Sequence, residues 1–285
     1  MKHKAIQVSC VQMRWSKKLD ENLENTIEFI KQAAKENSRV VCFPESNLTG
    51  FYFPYVLRYS ENSVEESIEK VCGAARDFNI WTIVGAIKKS RDKYLNLALV
   101  ISPEGKITHE YAKIHLAGRD EKKFCRAGDK LSLFEIDGVL CTLAICRDGR
   151  HPEVYRIPAM AGAKILFQPS CSADDIETVV WKRTAGRAQL PAGPTTKIFH
   201  CVANTVGQSP DGLQISGGGS FIRDPSGLPL IEASMYKEEI ITAVLNIEKA
   251  DRSFAIDSLN SPPFLKKYWE QMILEVKRRA DQKPE

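Results

Sequence analysis

Three residues of this chain stand where a rigid strand would hold a polar side chain and the following loop would expose it. Glu45 closes the apolar run Val40-Val41-Cys42-Phe43-Pro44, which places a carboxylate at a buried strand end, a setting suited to a general base. Lys113 lies in Tyr111-Ala112-Lys113-Ile114-His115-Leu116; enclosed in a pocket, such a cation stabilises a developing oxyanion. Cys146 follows Leu143-Ala144-Ile145 and precedes the polar turn Arg147-Asp148-Gly149-Arg150, after which Pro152 opens a helix. Strand, cysteine, sharp turn and helix lift a nucleophile out of a sheet and aim the next backbone N–H at the same oxygen. A base or cation must stand nearby to generate thiolate; a reactive Cys146 of low pKa among inert cysteines would mark an enzyme, and uniformly slow thiols a binding or structural protein. Each residue also has a plainer reading: a capping or salt-bridging glutamate, a surface lysine, and one more core cysteine.

Other chemistries find less support. No G-x-S-x-G occurs, and the five histidines lack metal-ligand spacing, so neither metal nor cofactor is expected. Gly217-Gly218-Gly219 has no following Lys-Ser/Thr and precedes a strand, so it reads as a tight bend rather than a phosphate loop. There is no CxxC pair among the eight cysteines, and Cys10, Cys42, Cys141 and Cys201 sit inside apolar runs. So many free thiols suit a reducing compartment, hence the cytoplasm. The start, Met1-Lys2-His3-Lys4-Ala5, lacks a hydrophobic signal core, and no apolar stretch is long enough for a bilayer. With 40 basic and 36 acidic residues interspersed, the net charge of +4 forms no basic face for nucleic acid.

Positioning these residues falls to alternating elements. Strands are predicted over Ala5–Met13, Arg39–Phe43, Trp81–Ile87, Lys164–Gln168, Phe199–Val206, Gly219–Arg223 and Glu239–Leu245. Helical spacing covers Leu19–Asn37, with Leu23, Ile27, Ile30 and Ala34 on one face, then Val64–Phe78, Pro152–Ala161, Val179–Gln189 and Phe264–Ala280. Tyr94–Ile101 with Lys106–Tyr111, and Leu131–Ile136 with Leu140–Ile145, read as hairpins. Helices alternating with strands predict a layered α/β protein, and the hairpins make its sheets mixed. At 285 residues, 43% hydrophobic and 27% charged, without a linker or repeat, the chain reads as one domain over 1–285.

The ordered set Glu45, Lys113, Cys146 resembles the nitrilase superfamily of carbon–nitrogen hydrolases, amidase/carbamoylase-like branch. Phe43-Pro44-Glu45-Ser46-Asn47-Leu48-Thr49-Gly50 is similar to its base motif, Tyr111 to Leu116 to its lysine motif, and Ile145 to Glu153 to its nucleophile motif. Ala161-Gly162-Ala163, Asn204 and the stretch from Gly218 to Gly227 also follow the pattern, so the resemblance spans roughly 5 to 247. It implies a four-layer α-β-β-α sandwich of two mixed β-sheets. It also implies a homodimer or larger homo-oligomer, with 260–285 as a C-terminal helix available for contact. It further implies hydrolysis of small amides through a Cys146 thioester, with Glu121 as a second catalytic glutamate. Two features depart from the family: Ala127 stands where a proline usually precedes Gly128, and Gln189 to Thr196 is about five residues longer than the common form.

Arg147 and Arg150 flank the nucleophile and could fork onto a substrate carboxylate or pair internally with Asp148 or Glu153. Tyr52, with Phe51, Phe53 and Tyr55, could add an aromatic wall or belong to the core. N-carbamoyl-amino-acid (ureido) and nitrile hydrolysis remain alternatives for the reaction, and a non-catalytic binding member of the family is the alternative of a different class.

Overall fold

The computed structural model describes residues 5–184, 192–209, 212–260, 262–265, 267–268, 270–272 and 274. In chain order the elements are β1 (Ala5–Gln12), α1 (Leu19–Lys35), β2 (Val40–Cys42), α2 (Phe53–Val56), α3 (Glu61–Asp77), β3 (Trp81–Ser90), β4 (Lys93–Ile101), β5 (Ile107–Ala112) and α4 (Gly118–Phe124). Then come β6 (Phe134–Ile136), β7 (Val139–Leu143), a 3-10 turn at Cys146–Arg150, α5 (Glu153–Met160), β8 (Ile165–Ser170), β9 (Ala173–Asp174) and α6 (Ile176–Thr184). The chain continues through α7 (Gly193–Thr196), β10 (Phe199–Asn204), β11 (Val206–Gln208), β12 (Ile215–Gly217), β13 (Phe221–Arg223), β14 (Pro229–Glu232), β15 (Glu239–Asn246) and α8 (Ser253–Asp257).

Two six-stranded sheets form, in the orders β15-β1-β2-β3-β4-β5 and β14-β13-β10-β8-β7-β6, with a small third sheet β11-β12-β9. Both large sheets are mixed: β1, β2 and β3 run parallel while β3–β4–β5 and β15 pair antiparallel, and β7, β8 and β10 run parallel between antiparallel edges. Strand side chains alternate in direction, and this separates two cores. Val8, Cys10, Val40, Cys42, Ile83, Ala98 and Val100 face the second sheet's Cys141, Leu143, Phe167, Cys201 and Ala203. Their neighbours Val11, Val41, Val84 and Leu99 face Leu23 and Ile30 of α1 and Val64, Ile68 and Val71 of α3. On the far face of the second sheet, α5 contributes Val154 and Ala159. The expected α-β-β-α layering is therefore present, and the four cysteines read as core are fully buried free thiols.

The structure differs from the sequence reading in particulars. The run Phe199–Val206 splits at Thr205: β10 stays in the second sheet and β11 turns into the third. The isolated bridge Met13–Thr205 marks the bend. Of Leu131–Ile136 only Phe134–Ile136 pairs, and the short elements α2 and α4 carry too few residues to show a period. The expected helix over Val179–Gln189 begins earlier, at Ile176, and its end beyond Thr184 lies outside the described residues, as do Gln189 to Pro191 and the end of the terminal helix. Among the described residues no helix is long and apolar enough to cross a membrane.

Candidate active site

The C-terminal ends of strands from both sheets meet here, and each contributes one reactive side chain. Glu45 lies in the turn after β2, and its N–H donates to the Ser170 carbonyl at the end of β8, joining the two sheets (3.3 Å). Lys113 follows β5, held by its N–H to Asn96 O (2.9 Å) and by Gly128 N–H to its own carbonyl (2.8 Å). Cys146 follows β7. Glu45, Lys113 and Glu121 are each about 1% exposed.

The charges are tightly partnered. Lys113 Nζ donates to Glu45 Oε1 at 2.6 Å and to Glu121 Oε2 at 3.0 Å. Asn96, on β4, donates through Nδ2 to Glu45 Oε1 (2.8 Å) and Glu121 Oε1 (2.7 Å), so one amide spaces both carboxylates. The Ala117 N–H also donates to Glu121 Oε2. Burial pulls the lysine's pKa down, but Glu45, Cys146 and Glu121 more than restore it, so Lys113 stays an ammonium. Glu121 is pushed up by burial and by Glu45, against the pull of Lys113 and its N–H donors. Glu45 Oε2 is buried without a hydrogen-bond partner among the described residues. An unsatisfied buried acceptor costs about 1–3 kcal/mol, which marks this oxygen as one kept open.

Cys146 adopts φ +46°, the left-handed conformation of a nucleophile elbow. Its thiol faces the Cys171 carbonyl at 3.8 Å. Burial first, then the Glu45 carboxylate, push the thiol pKa well up, while Lys113 opposes them. The thiol is thus held toward its protonated form, so a base beside it is needed for it to react.

Asp148 locks the turn. It accepts from Ile145 N–H (3.1 Å), Tyr111 O–H (2.8 Å), Ile114 N–H (3.4 Å) and His115 N–H (2.7 Å), and lies 3.0 Å from His115 Nδ1. One carboxylate thus ties the lysine loop to the cysteine turn. Among the described residues it makes no pair with arginine, and Glu153 pairs with Arg156 instead (3.3 Å). Of the two readings for Arg147 and Arg150, the internal salt bridge is therefore absent among the described residues; Arg147 is half-buried and Arg150 exposed. Tyr52 is half-buried with its ring against Tyr55. The aromatic ring that reaches the site is Phe51, 5.3 Å from Lys113 Nζ.

Several positioning residues escaped the sequence reading. Asn96 is one, although a lone amide within Tyr94-Leu95-Asn96-Leu97-Ala98 is a signal that could have found it. Gly85 is another: a Cβ there would stand 2.2 Å from Ser46 N, so only glycine lets β3 approach the Glu45 turn. Its N–H donates to Asn47 Oδ1 (2.7 Å) and its carbonyl accepts from Leu48 N–H (3.1 Å). Asn204, matched to a family position, bridges Ser172 N–H and the Gly218 carbonyl.

The carbon-nitrogen hydrolase family model matches residues 7–252. The chain belongs to this family. Its relatives carry the names omega-amidase and nitrilase. It is 30% identical over 246 residues to a nitrilase of Pyrococcus abyssi and 24% identical over 252 residues to an omega-amidase of Mus musculus, in both cases across 85% of this chain and 89% of the relative. The match to the Homo sapiens omega-amidase, 28% identical, spans 58% of this chain and 63% of that protein, and a match to a Dictyostelium discoideum nitrilase homolog spans 55% of the relative. An amidase from Nesterenkonia sp. AN1, solved with the acetamide moiety of fluoroacetamide added covalently at its active-site cysteine, shares the fold with a TM-score of 0.79. Identity there is 20%, over 93% of this chain and 96% of that one.

Proposed function

We propose that this chain hydrolyses the C–N bond of small amides, releasing ammonia or an amine through a thioester on Cys146. The observation that carries the reading is the uncommitted Glu45 Oε2 in a buried cluster with Lys113, where burial and Glu45 act together on the Cys146 thiol. Glu45 takes the thiol proton as sulfur attacks the carbonyl carbon. The tetrahedral oxyanion is received by the Lys113 ammonium and the Arg147 N–H; losing one such donor costs about 100-fold or more. The nitrogen leaves with the proton that Glu45 held. Glu45 then activates water against the thioester, with Glu121 sharing Lys113 and Asn96 and assisting.

The relatives favour an omega-amide, an amide on a small acid. Arg147 and Arg150, free of an internal ion pair among the described residues, are the groups to fork onto that acid's carboxylate, and Phe51 lines the approach. Ile157 of α5, which packs on α8, and Phe254 of α8 leave apolar side chains exposed, and we place a homo-oligomer contact there. A cytoplasmic setting agrees with eight free thiols among the described residues. The test is an ammonia-release screen over primary amides, omega-amides, N-carbamoyl amino acids and nitriles. Omega-amides are expected to lead, and Arg150→Ala should raise their KM and spare neutral amides. Turnover confined to nitriles or carbamoyl compounds would contradict the amide reading.

A further inference from the structure

Cys146 keeps its left-handed backbone only because the surroundings hold it. Asp148 holds the turn from within. A second grip comes from the neighbouring strand. Gln168 of β8 donates through Nε2 to the Cys146 carbonyl at 3.1 Å. It lies so close that a Cβ at Gly149 would stand 2.6 Å from the same nitrogen.

The orientation of this amide is fixed in turn by His200, one strand further on β10. His200 Nε2 lies 2.8 Å from Gln168 Oε1, and His200 Nδ1 accepts the Ala192 N–H at 3.2 Å. A neutral ring that accepts at Nδ1 carries its proton at Nε2, so Nε2–H donates to Oε1 and the Gln168 NH2 faces Cys146. The ring is neutral: burial, with the Arg223 guanidinium on β13 adding to it, drives its pKa down to about 3. Both side chains are about 1% exposed on strands otherwise apolar at this level. Such groups persist when every partner is in place.

We propose that the Gln168–His200 pair sets the direction of the Cys146–Arg147 peptide, and with it the Arg147 N–H that receives the oxyanion. In a trans peptide the carbonyl and the following N–H point opposite ways. Holding Cys146 O against Gln168 therefore points the Arg147 N–H away from β8, and a peptide released from this grip takes its donor out of line. Gln168 and His200 are positioning residues that touch no substrate. The assignment rests on the proposed role of the Arg147 N–H.

The test compares His200→Leu, which removes the donor to Gln168, His200→Gln, which keeps an amide donor at similar reach, and Gln168→Met, which removes the donor to Cys146. Readouts are kcat and KM for the amide giving the fastest ammonia release, the rate of Cys146 alkylation by iodoacetamide, and melting temperature. Alkylation develops no oxyanion. His200→Leu and Gln168→Met are expected to lower kcat about 10- to 100-fold with KM and alkylation changed less than about threefold, and His200→Gln to recover most of the loss. Unimpaired kcat in Gln168→Met, alkylation falling in step with kcat, or no rescue by His200→Gln would overturn the proposal. Should His200→Leu fail to fold, the other two variants decide. Cys146→Ala in the same assay separates the two readings. Its loss of turnover beside an unimpaired Gln168→Met refutes only the peptide grip, whereas its retention of turnover refutes the nucleophile.

Discussion

At Glu45 one carboxylate oxygen is committed to Lys113 and Asn96 and the other is left open. Under the proposed mechanism that asymmetry divides the labour of a single side chain: Oε1 holds Lys113 and Oε2 is the oxygen left to take the proton. Glu45→Gln removes the base while keeping the shape, and should lower kcat by about 100- to 10,000-fold in the ammonia assay with little change in melting temperature. A loss below about tenfold would deny Glu45 the role of base. Lys113→Met breaks a buried cluster and leaves two carboxylates facing each other. It should cost about 3–5 kcal/mol in urea unfolding as well as activity. Glu45 and Cys146 were legible because each follows an apolar run, and Lys113 because the order of the three repeats a known pattern. Asn96 left only a lone amide in an apolar run as its signal, and Gln168 and His200 were not legible, because what makes all three matter is a contact across strands that adjacent sequence does not encode.

Among the elements, β3 shows how the sheet positions the site. Gly85 admits the Glu45 turn against its backbone, and Ser46 itself sits at φ +53°. Gly85→Ala forces a methyl into the Ser46 amide and should cost about 1–3 kcal/mol of stability and much of the activity, read by urea unfolding and ammonia release. Near-parental values in both would show that the turn can withdraw at no cost. Long strands and helices were readable from period alone: α1 and α3 begin and end within three residues of their predicted bounds. The break at Thr205 was not, since Phe199 to Val206 is one apolar run and its division is imposed by the bridge to Met13 and by β12.

For the whole molecule, the helical layer on the outer face of the second sheet explains why a buried histidine can be kept neutral: His200 alternates with the inward-facing Cys201 and accepts from Ala192 N–H at the start of α7. An unfolded His200 binds a proton below its ordinary value of 6.5, while the folded ring does so only near 3. The unfolded state therefore binds more protons between these values, and His200 withdraws stability as pH falls through that window, by up to about 1.4 kcal/mol per pH unit. His200→Gln should unfold less steeply with acid than the parent in denaturant titrations from neutral to acid pH; parallel curves would mean that the ring is not held neutral. The assembly proposed around Ile157 and α8 should appear as a dimer or larger species in sedimentation at micromolar concentration, and a monomer there would refute it. Layering was legible from the alternation of strand and helix, but which strand ends converge was not, because it depends on how the second sheet folds back over the first. The most direct test lies at that convergence: ammonia release by Cys146→Ala against the parent, on the best amide of the screen. Turnover should fall more than about 1,000-fold with the melting temperature unchanged, and turnover within about tenfold of the parent would contradict Cys146 as the nucleophile.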